Sequence, residues 1–307
     1  METLYFTHPS YKLHEMGDWH PESPQRLDAI SDQLLMSGLM PFLCEAQAPE
    51  ASRESLLRVH TGDYIDSLYS LSPLEGYREI SADTFLNAHT RVAALHAAGA
   101  GIAAVDAVMQ GKAANAFCAV RPPGHHALRS AAMGFCFLNN IAVAAQHALT
   151  VHGLRKLAII DFDVHHGNGT EEAFAGDERV LMCSFFQSPF FPHCGIDNPA
   201  PNMVNVPVPA YTEGAEVRAL VSDIWLPRLE AHKPEIILIS AGFDAHREDE
   251  MGQMGLVESD FRWITEQIMR IAEKHSQGRI VSMLEGGYNL SALGRSAIAH
   301  LRALTKL

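Results

Sequence analysis

Residues 157–170 read LAIIDFDVHHGNGT and join a short apolar run to a cluster of acids and histidines. The run at 157–160 is typical of a strand buried on both faces of a parallel sheet. Asp161 would then stand at the carboxyl end of this strand, where ligands collect in open α/β sheets. Because Asp161, Asp163 and His165 alternate, their side chains would point to one side and repel one another without a cation between them. A lone D-x-D would indicate a solvated turn, whereas the histidines and glycines attached to it favour a metal site.

The segment RPPGHH at 121–126 follows a second buried strand, predicted at 117–120. Its adjacent prolines and its glycine make a rigid loop that presents His125 and His126. A single histidine in such a place would more often be structural. Two histidines at the sheet edge that also carries the acids of 161–165 suggest acid–base chemistry.

Two further predicted strands end in polar residues, one before Asp244 in AGFD and one before Tyr288 in EGGYN. Asp163, His165 and Asp244 would form a metal set of two carboxylates and one imidazole. Three protein ligands with open positions are typical of catalytic zinc, although Fe(II) or Co(II) also accepts such ligands. The metal would activate water, the histidines would exchange protons, and Tyr288 would donate to a developing oxyanion.

Strands and helices alternate along the whole chain, which predicts a single α/β domain over residues 1–307, with a parallel sheet between layers of helices. A long Ala-rich helix predicted at 86–110 contains GAGIAA, but no strand precedes these glycines, so we reject a dinucleotide site there. Residues 72–83 are predicted to form a loop at the substrate rim. Arg26, at the start of a helix, is expected to find carboxylate or carbonyl partners in the core.

The composition argues against several classes of protein. A formal net charge of −13 disfavours nucleic acid as a partner and favours cationic substrates or peptides. The five cysteines are odd in number and include no C-x-x-C pair, which argues against a disulfide framework and against a thiolate zinc site. The sequence has no run of eighteen apolar residues and no recognisable secretory signal. We therefore expect a cytoplasmic protein without a membrane partner.

The motifs HPESPQR, RPPGHH, DFDVHHGNGT, AGFD and GGY, in this order over nearly the whole chain, resemble those of the histone deacetylase superfamily. That superfamily includes class II-like bacterial histone deacetylase-like amidohydrolases and acetylpolyamine amidohydrolases. The resemblance implies the arginase/deacetylase fold, a three-layer α/β/α arrangement around a central, mostly parallel sheet of about eight strands. It also implies zinc-dependent removal of acetyl or other acyl groups from the ε-amine of lysine in proteins or peptides, with potassium as a structural ion.

The resemblance assigns a role to each candidate site residue. The zinc ligands would be Asp163, His165 and Asp244. The catalytic residues would be His126 as general base and acid, His125 paired with Asp161 as electrostatic helper, and Tyr288 as oxyanion donor. The potassium ligands, several of them through backbone carbonyls, would be Asp161, Asp163, His165, Ser184 and Phe185. The substrate-binding positions would include Gly134 and Phe135, Phe191 as the second aromatic wall of an acyl-lysine tunnel, and Asp83 as a rim acid.

Two further substrate-site positions depart from parts of the family. Asn168 stands where class I enzymes have an aspartate partner for the base histidine, so the proton affinity of His126 should be lower here. Met251 lies seven residues after the third metal ligand, where polyamine-specific relatives have a glutamate, although Glu250 is adjacent. Acetylpolyamine or another small N-acetyl amide remains the alternative substrate, and an acyl-lysine binding module is the alternative outside the enzymes. The oligomeric state stays open.

Overall fold

The computed structural model describes residues 2–197 and 199–307. The strands, in chain order, are β1 (Thr3–Thr7), β2 (Leu43–Gln47), β3 (Arg78–Ser81), β4 (Thr84–Leu86), β5 (Asn115–Cys118), β6 (Leu157–Asp161), β7 (Val180–Gln187), β8 (Met203–Val208), β9 (Ile237–Ala241) and β10 (Ile280–Leu284). The helices are α1 (Gln25–Met36), α2 (Arg53–Leu57), α3 (Gly62–Leu71), α4 (Thr90–Met109), α5 (Asn140–Thr150), α6 (Asn168–Phe174), α7 (Gly214–Leu220), α8 (Leu226–His232), α9 (Glu258–His275) and α10 (Leu290–Thr305). A π-helical turn, Val221–Trp225, joins α7 to α8.

Eight strands form one sheet in the order β2-β1-β5-β10-β9-β6-β7-β8, and each neighbouring pair is parallel. The strands β5, β6, β9 and β10 are buried along their whole length, which is the pattern of a sheet covered on both faces. The predicted central sheet of about eight strands is therefore confirmed.

Two adjacent residues of β10 show how the helices are layered. The Ser282 Oγ lies 2.9 Å from the Nε2 of His300 in α10. The side chain of the next residue, Met283, instead lies against Gly101 in α4. Successive side chains of a strand point to opposite faces, so α4 and α10 cover opposite faces of the sheet. The helices α1 and α9 pack against α10, and α5 packs against α4, which completes the three-layer α/β/α arrangement.

Two predicted elements differ from the observed ones, and one observed strand was not predicted. Residues 72–83, predicted as a loop, include β3, which pairs with β4 as an antiparallel hairpin. Because that hairpin extends to Leu86, the helix predicted from residue 86 begins only at Thr90. The edge strand β2 is missing from the predictions because its sequence, LCEAQ, is short, mixed in polarity and half exposed.

The helix α4 is apolar and long enough to cross a membrane, but 61% of its most apolar part is buried inside the protein. A Cβ at Gly101 would lie 2.8 Å from the Met283 sulfur and 2.9 Å from the Ala144 Cβ. Glycine is therefore needed there for α4 to approach β10 and α5. This packing role agrees with rejecting a dinucleotide site in the same segment.

Candidate active site

The carboxyl ends of four adjacent strands carry the candidate site residues. In the sheet order β5-β10-β9-β6, the loops that follow these strands meet at one edge. They bring together the HH pair of RPPGHH, the GGY tyrosine, the acid of AGFD and the D-x-H of DFDVHH. Strand order, rather than nearness in the chain, therefore assembles the site.

Asp163, His165 and Asp244 are buried, and each brings one ligand atom within 4.8 Å of the other two. The His165 Nδ1 lies 3.0 Å from Asp163 Oδ1 and 3.2 Å from Asp244 Oδ2. Backbone amides orient the two carboxylates. The Gly286 N–H donates to Asp163 Oδ2 over 2.8 Å, and the Val164 N–H donates to Asp244 Oδ1 over 2.9 Å.

This donor set fits a metal ion. The buried Asp244 Oδ2 makes no hydrogen bond, despite the approach of His165 Nδ1 to 3.2 Å, and is available to coordinate. Burial, and then the charge of Asp163, raise the pKa of Asp244, because two buried carboxylates oppose each other's ionisation. A divalent cation would remove that opposition, and two carboxylates with one imidazole suit zinc.

Two glycines provide the space that the carboxylates of Asp163 and Asp244 occupy. A Cβ on Gly242 would overlap Asp163 Oδ2, and a Cβ on Gly286 would overlap Asp244 Oδ2. Any larger residue would displace a carboxylate oxygen. The glycines of AGFD and EGGYN therefore leave the space that the carboxylates of the candidate metal site occupy.

We expect Gly286→Ala to weaken zinc binding by about tenfold or more, because Asp244 must move away from its ligand position. Competition with a chromophoric chelator measures this affinity. The matched control is Gly62→Ala in α3, where an added Cβ meets its nearest neighbour only at 3.6 Å and zinc affinity should be unchanged. Equal zinc affinity in Gly286→Ala and the wild type would contradict the role of this glycine.

His125 and His126 lie side by side, with ring centroids 4.0 Å apart. The His125 Nδ1 is 2.9 Å from Asp161 Oδ2, and the His126 Nδ1 is 2.7 Å from Asn168 Oδ1. One histidine therefore has a carboxylate partner and the other an amide. The structure places Asn168 against His126, as the partner position predicts, and its role at the substrate site stays a prediction.

Burial and neighbouring charges separate the pKa values of the two histidines. Burial alone would lower the pKa of His125, but the charges of Asp161 and Asp163 raise it well above its usual range. Burial, and then the neighbouring His125, lower the pKa of His126 well below its usual range. At neutral pH, His125 therefore holds a proton, whereas His126 is free to accept one.

Tyr288 is held on three sides. Its backbone N–H donates to Asp249 Oδ2 over 2.6 Å, and the Arg26 guanidinium lies 4.9 Å from the centre of its ring. The ring packs edge-on against Phe135, with centroids 5.7 Å apart. Burial raises the pKa of Tyr288 well above its usual range, so its hydroxyl keeps the proton that it would donate.

The core contacts expected for Arg26 are confirmed. This buried side chain donates to the carbonyl of Gly287 over 2.7 Å, to the carbonyl of Glu285 and to the carboxylate of Glu22. The same Glu22 carboxylate accepts a 2.8 Å hydrogen bond from Arg121. The network joins the start of α1 to the RPPGHH loop and to the GGY turn.

Sequence analysis missed Asp249, a buried acid that fixes the turn beside the site. Its Oδ2 accepts the backbone N–H groups of Tyr288 and Asn289, and its Oδ1 accepts that of Met251 over 2.9 Å. These contacts are to backbone amides, which leave no pattern in the sequence. The half-buried Met251 is therefore tied through Asp249 to the turn that carries Tyr288.

Glu285 is a second acid that sequence analysis missed, and it is buried behind the histidine loop. Its Oε2 accepts the N–H groups of Gly124 and His125 over 2.7 and 3.1 Å, and its Oε1 accepts the Ser240 hydroxyl over 3.1 Å. Burial raises the pKa of Glu285 from 4.5 to about 7. The acid before GGY was the available signal, but only the fold reveals its burial.

We expect the free energy of unfolding to fall as the pH rises from about 5 to about 8. In Glu285→Gln this fall should be smaller than in the wild type. In the unfolded chain this carboxyl ionises near 4.5, whereas in the folded protein it keeps its proton up to about 7. Raising the pH therefore favours the unfolded state, by up to about 3 kcal/mol. Chemical unfolding at both pH values tests this, with the exposed Glu75→Gln as control. Identical pH dependence in Glu285→Gln and the wild type would contradict it.

Phe135 and Phe191 contact the two candidate catalytic residues. Phe191 packs edge-on against His126, with centroids 5.1 Å apart, and Phe135 packs against Tyr288. Gly134 has a left-handed φ of 53°, and a Cβ there would lie 2.6 Å from the His126 ring. Glycine at 134 therefore leaves the space that the His126 ring occupies.

Phe190 is a neighbour of the site that sequence analysis left unassigned. Its ring stacks on His165, with centroids 5.4 Å apart and an interplanar angle of 18°. The apolar face of the metal-ligand candidate is therefore covered by Phe190. The double Phe of SPFFP was a signal for both aromatic residues.

Asp83 lies in the turn between β3 and β4 and stabilises this turn through hydrogen bonds. Its Oδ1 accepts the hydroxyls of Ser81 and Thr84 over 2.7 and 2.8 Å, and its carbonyl oxygen lies 3.1 Å from His20 Nε2. The Thr84 Oγ1 also accepts the N–H of Phe135 over 3.0 Å. The hairpin is thus attached to the aromatic wall beside Tyr288.

A row of aromatic contacts runs from Tyr288 to the surface. Phe135 packs edge-on against His20 at 4.6 Å, His20 lies 5.3 Å from Trp19, and Trp19 packs edge-on against Phe85 at 5.8 Å. Trp19 is 71% exposed. Sequence analysis missed this tryptophan, although its place directly before HPE was a signal.

Two of the predicted potassium ligands, Ser184 and Phe185, lie in β7, next to the strand that ends at Asp161. The register of β6 and β7 pairs Asp161 with Ser184, and Phe185 follows Ser184 in β7. The Ser184 hydroxyl is 3.4 Å from the Asn205 side-chain oxygen. The potassium site stays a prediction.

Known proteins resemble this chain over nearly its whole length. A profile of the histone deacetylase domain matches residues 20–304. A histone deacetylase-like amidohydrolase of Pseudomonas aeruginosa is 39% identical over 278 residues, which cover 88% of this chain and 73% of that protein. The human polyamine deacetylase HDAC10 is 36% identical over 301 residues, which cover 92% of this chain and 44% of that protein.

The structural comparison agrees with the sequence comparison. The crystal structure of the HDA15 HD domain matches with a TM-score of 0.93 and 33% sequence identity, over 100% of this chain and 90% of that chain. The three-layer fold is therefore shared with the HDA15 HD domain. The chain belongs to the histone deacetylase family of amidohydrolases.

Proposed function

We propose that the protein removes acetyl or longer acyl groups from the ε-amine of lysine in proteins or peptides, with zinc held by Asp163, His165 and Asp244. The observation that carries this proposal is the convergence of that ligand set with His126, whose ring lies 5.9 Å from the His165 ring, and with the turn that carries Tyr288, whose Gly286 N–H donates to Asp163. Bound zinc would polarise the acyl carbonyl and lower the pKa of water at the site.

Each nearby side chain has a part in the proposed hydrolysis. His126 would take a proton from the attacking water and pass it to the departing amine. His125, protonated beside Asp161, would place positive charge near the developing negative charge. The Tyr288 hydroxyl would donate to the acyl oxygen as it becomes negative. The amide C–N bond breaks, one water is consumed, and a carboxylate and a free amine are formed.

The proposal is tested by measuring the release of free amine from matched panels of acyl-lysine peptides and acetylpolyamines. Enzyme stripped with a chelator should be inactive, and added zinc should restore turnover on the peptides. Asp163→Asn, treated in the same way, should stay inactive. Full turnover by the stripped enzyme would contradict the metal-dependent mechanism. If no free amine were released from either panel, an acyl-lysine binding module would be favoured.

Acetylpolyamine is the second candidate substrate. Similarity to the human polyamine deacetylase HDAC10 and the net charge of −13 favour it. The apolar Met251, at the position where polyamine-specific relatives have a glutamate, supports the peptide instead. Turnover confined to acetylpolyamines would replace the peptide proposal with this one.

We expect Trp19→Ala to lower kcat/KM for acetyl-lysine peptides by roughly fivefold to tenfold, because the residue beside the acyl-lysine loses an exposed aromatic contact. A single acetyl-lysine with blocked termini should be turned over as before. Trp19→Phe, which keeps an aromatic ring, is the matched control. If Trp19→Ala lowered kcat/KM equally for the blocked acetyl-lysine, the residue would act on the acyl-lysine itself, and a contact with the rest of the peptide would be contradicted.

A further inference from the structure

A second group of metal-ligating side chains lies outside the active site. Asp106 in α4, His147 in α5 and His152, just after α5, each bring one ligand atom within 4.8 Å of the other two. Over residues 2–197 and 199–307, only this group and the active-site ligand set bring three or more His, Cys, Asp or Glu side chains so close together. We call Asp106, His147 and His152 the α4–α5 triad.

The α4–α5 triad lies at the edge of the sheet opposite the active site. Asp106 is in the last turn of α4, which leads into the start of β5. His147 is in the last turn of α5, and His152 is in the turn that leads towards β6. Helices that lead into parallel strands end at the amino edge of the sheet, whereas the active site is at the carboxyl edge. The triad is therefore a separate place in the molecule.

The three side chains of the triad point at one spot. The Nε2 atoms of His147 and His152 each lie 2.7 Å from the same oxygen, Asp106 Oδ1. The His147 side chain is only 9% exposed, whereas the Asp106 side chain is 38% exposed. Two imidazole nitrogens and a carboxylate oxygen thus converge at a position that is anchored on one side and open to solvent on the other.

This donor set selects a class of cation. Mg²⁺ and Ca²⁺ prefer oxygen ligands, whereas two imidazoles with one carboxylate suit Zn²⁺, Co²⁺ and Ni²⁺. Ligand atoms in a tetrahedral zinc site lie about 3.3 Å apart, so the observed N–O distances would open by roughly half an ångström. A shift of the half-buried Asp106 carboxylate opens both distances, and His152 can also move because it lies in a turn rather than in a helix.

We propose that the α4–α5 triad binds a divalent transition metal of the zinc class, independently of the metal in the active site. The ion would use the lone pairs of both Nε2 atoms and a carboxylate oxygen, and water would fill the open side. It would cross-link α4 to α5, the two helices that pack on one face of the sheet. Without the ion, the same residues join these helices only by hydrogen bonds.

The test is the number of zinc ions bound per chain. Full-length protein is stripped with a chelator, dialysed against buffered zinc and analysed for metal. The wild type should bind two zinc ions, and His152→Ala should bind one while keeping full amidohydrolase turnover. His89→Ala, an exposed histidine just before α4, is the matched control and should bind two. His165→Ala, which removes an active-site ligand, should bind one and should still gain thermal stability on addition of zinc.

Cobalt supplies a second readout that does not depend on activity. His165→Ala loaded with Co²⁺ should show visible d–d absorption, and adding His152→Ala should abolish it. One zinc per wild-type chain, two in His152→Ala, or no cobalt absorption in His165→Ala would overturn the proposal. If His152→Ala fails to fold, Asp106→Asn is counted instead, with the same expected loss of one zinc. Failure of the deacylase proposal would alter turnover and leave these metal counts unchanged.

Discussion

Replacing His126 by alanine should lower kcat for acyl-lysine hydrolysis by about a thousandfold and leave the zinc content unchanged. The His126 ring is held by Asn168 through its Nδ1 and by edge-on contact with Phe191. Its other nitrogen is left to exchange protons. Its low pKa leaves it unprotonated at neutral pH, which a general base requires. Steady-state turnover and metal analysis measure the two effects, and the exposed His89→Ala should leave both unchanged.

A pH profile separates a chemical role of His126 from a structural one. Asn168→Asp places a carboxylate 2.7 Å from the same ring nitrogen, which should raise the pKa of His126. The acid limb of the kcat/KM profile should then move to higher pH, because the base becomes protonated earlier as the pH falls. An acid limb at the same pH in both proteins, or near-normal kcat in His126→Ala, would contradict His126 as the base.

Tyr288→Phe should lower kcat by about a hundredfold or more while substrate binding is largely kept. The substitution removes only the hydroxyl. The ring still packs against Phe135 and beneath Arg26, and the backbone amide still donates to Asp249. Only the hydrogen bond to the developing oxyanion is lost, and that bond is strongest in the transition state.

Two measurements distinguish lost transition-state stabilisation from lost binding. Turnover gives kcat, and calorimetric titration with a non-hydrolysable acyl-lysine analogue gives the dissociation constant. Tyr211→Phe is the matched control, because that tyrosine is 76% exposed and should change neither quantity. Full activity in Tyr288→Phe would remove the hydroxyl from the mechanism.

Local patterns were enough where the cause of the structure is local. The apolar run at 157–160 predicted a buried strand, and β6 spans Leu157–Asp161. The same reasoning failed for β2 and β3, which lie at the margin of the fold and are exposed or half-buried along their length. An exposed strand needs no apolar run, so its sequence resembles that of a loop.

Residue chemistry and motif order determined, by themselves, the fold class, the family and the list of candidate ligands, because these depend on residue types in short segments. Tertiary structure alone decided which segments meet. It placed β10 and β9 between β5 and β6, and it set Asp249 and Glu285 against remote backbone amides. It also joined Asp106 to one histidine of the next helix and to another in the turn after that helix. The physical reason is that polarity and spacing report local conformation, whereas the order of parallel strands follows from how the crossover helices pack. The low pKa of His126 and the high pKa of Tyr288, which suit the proposed roles of base and donor, also belong to that packing, because burial and neighbouring charge create them.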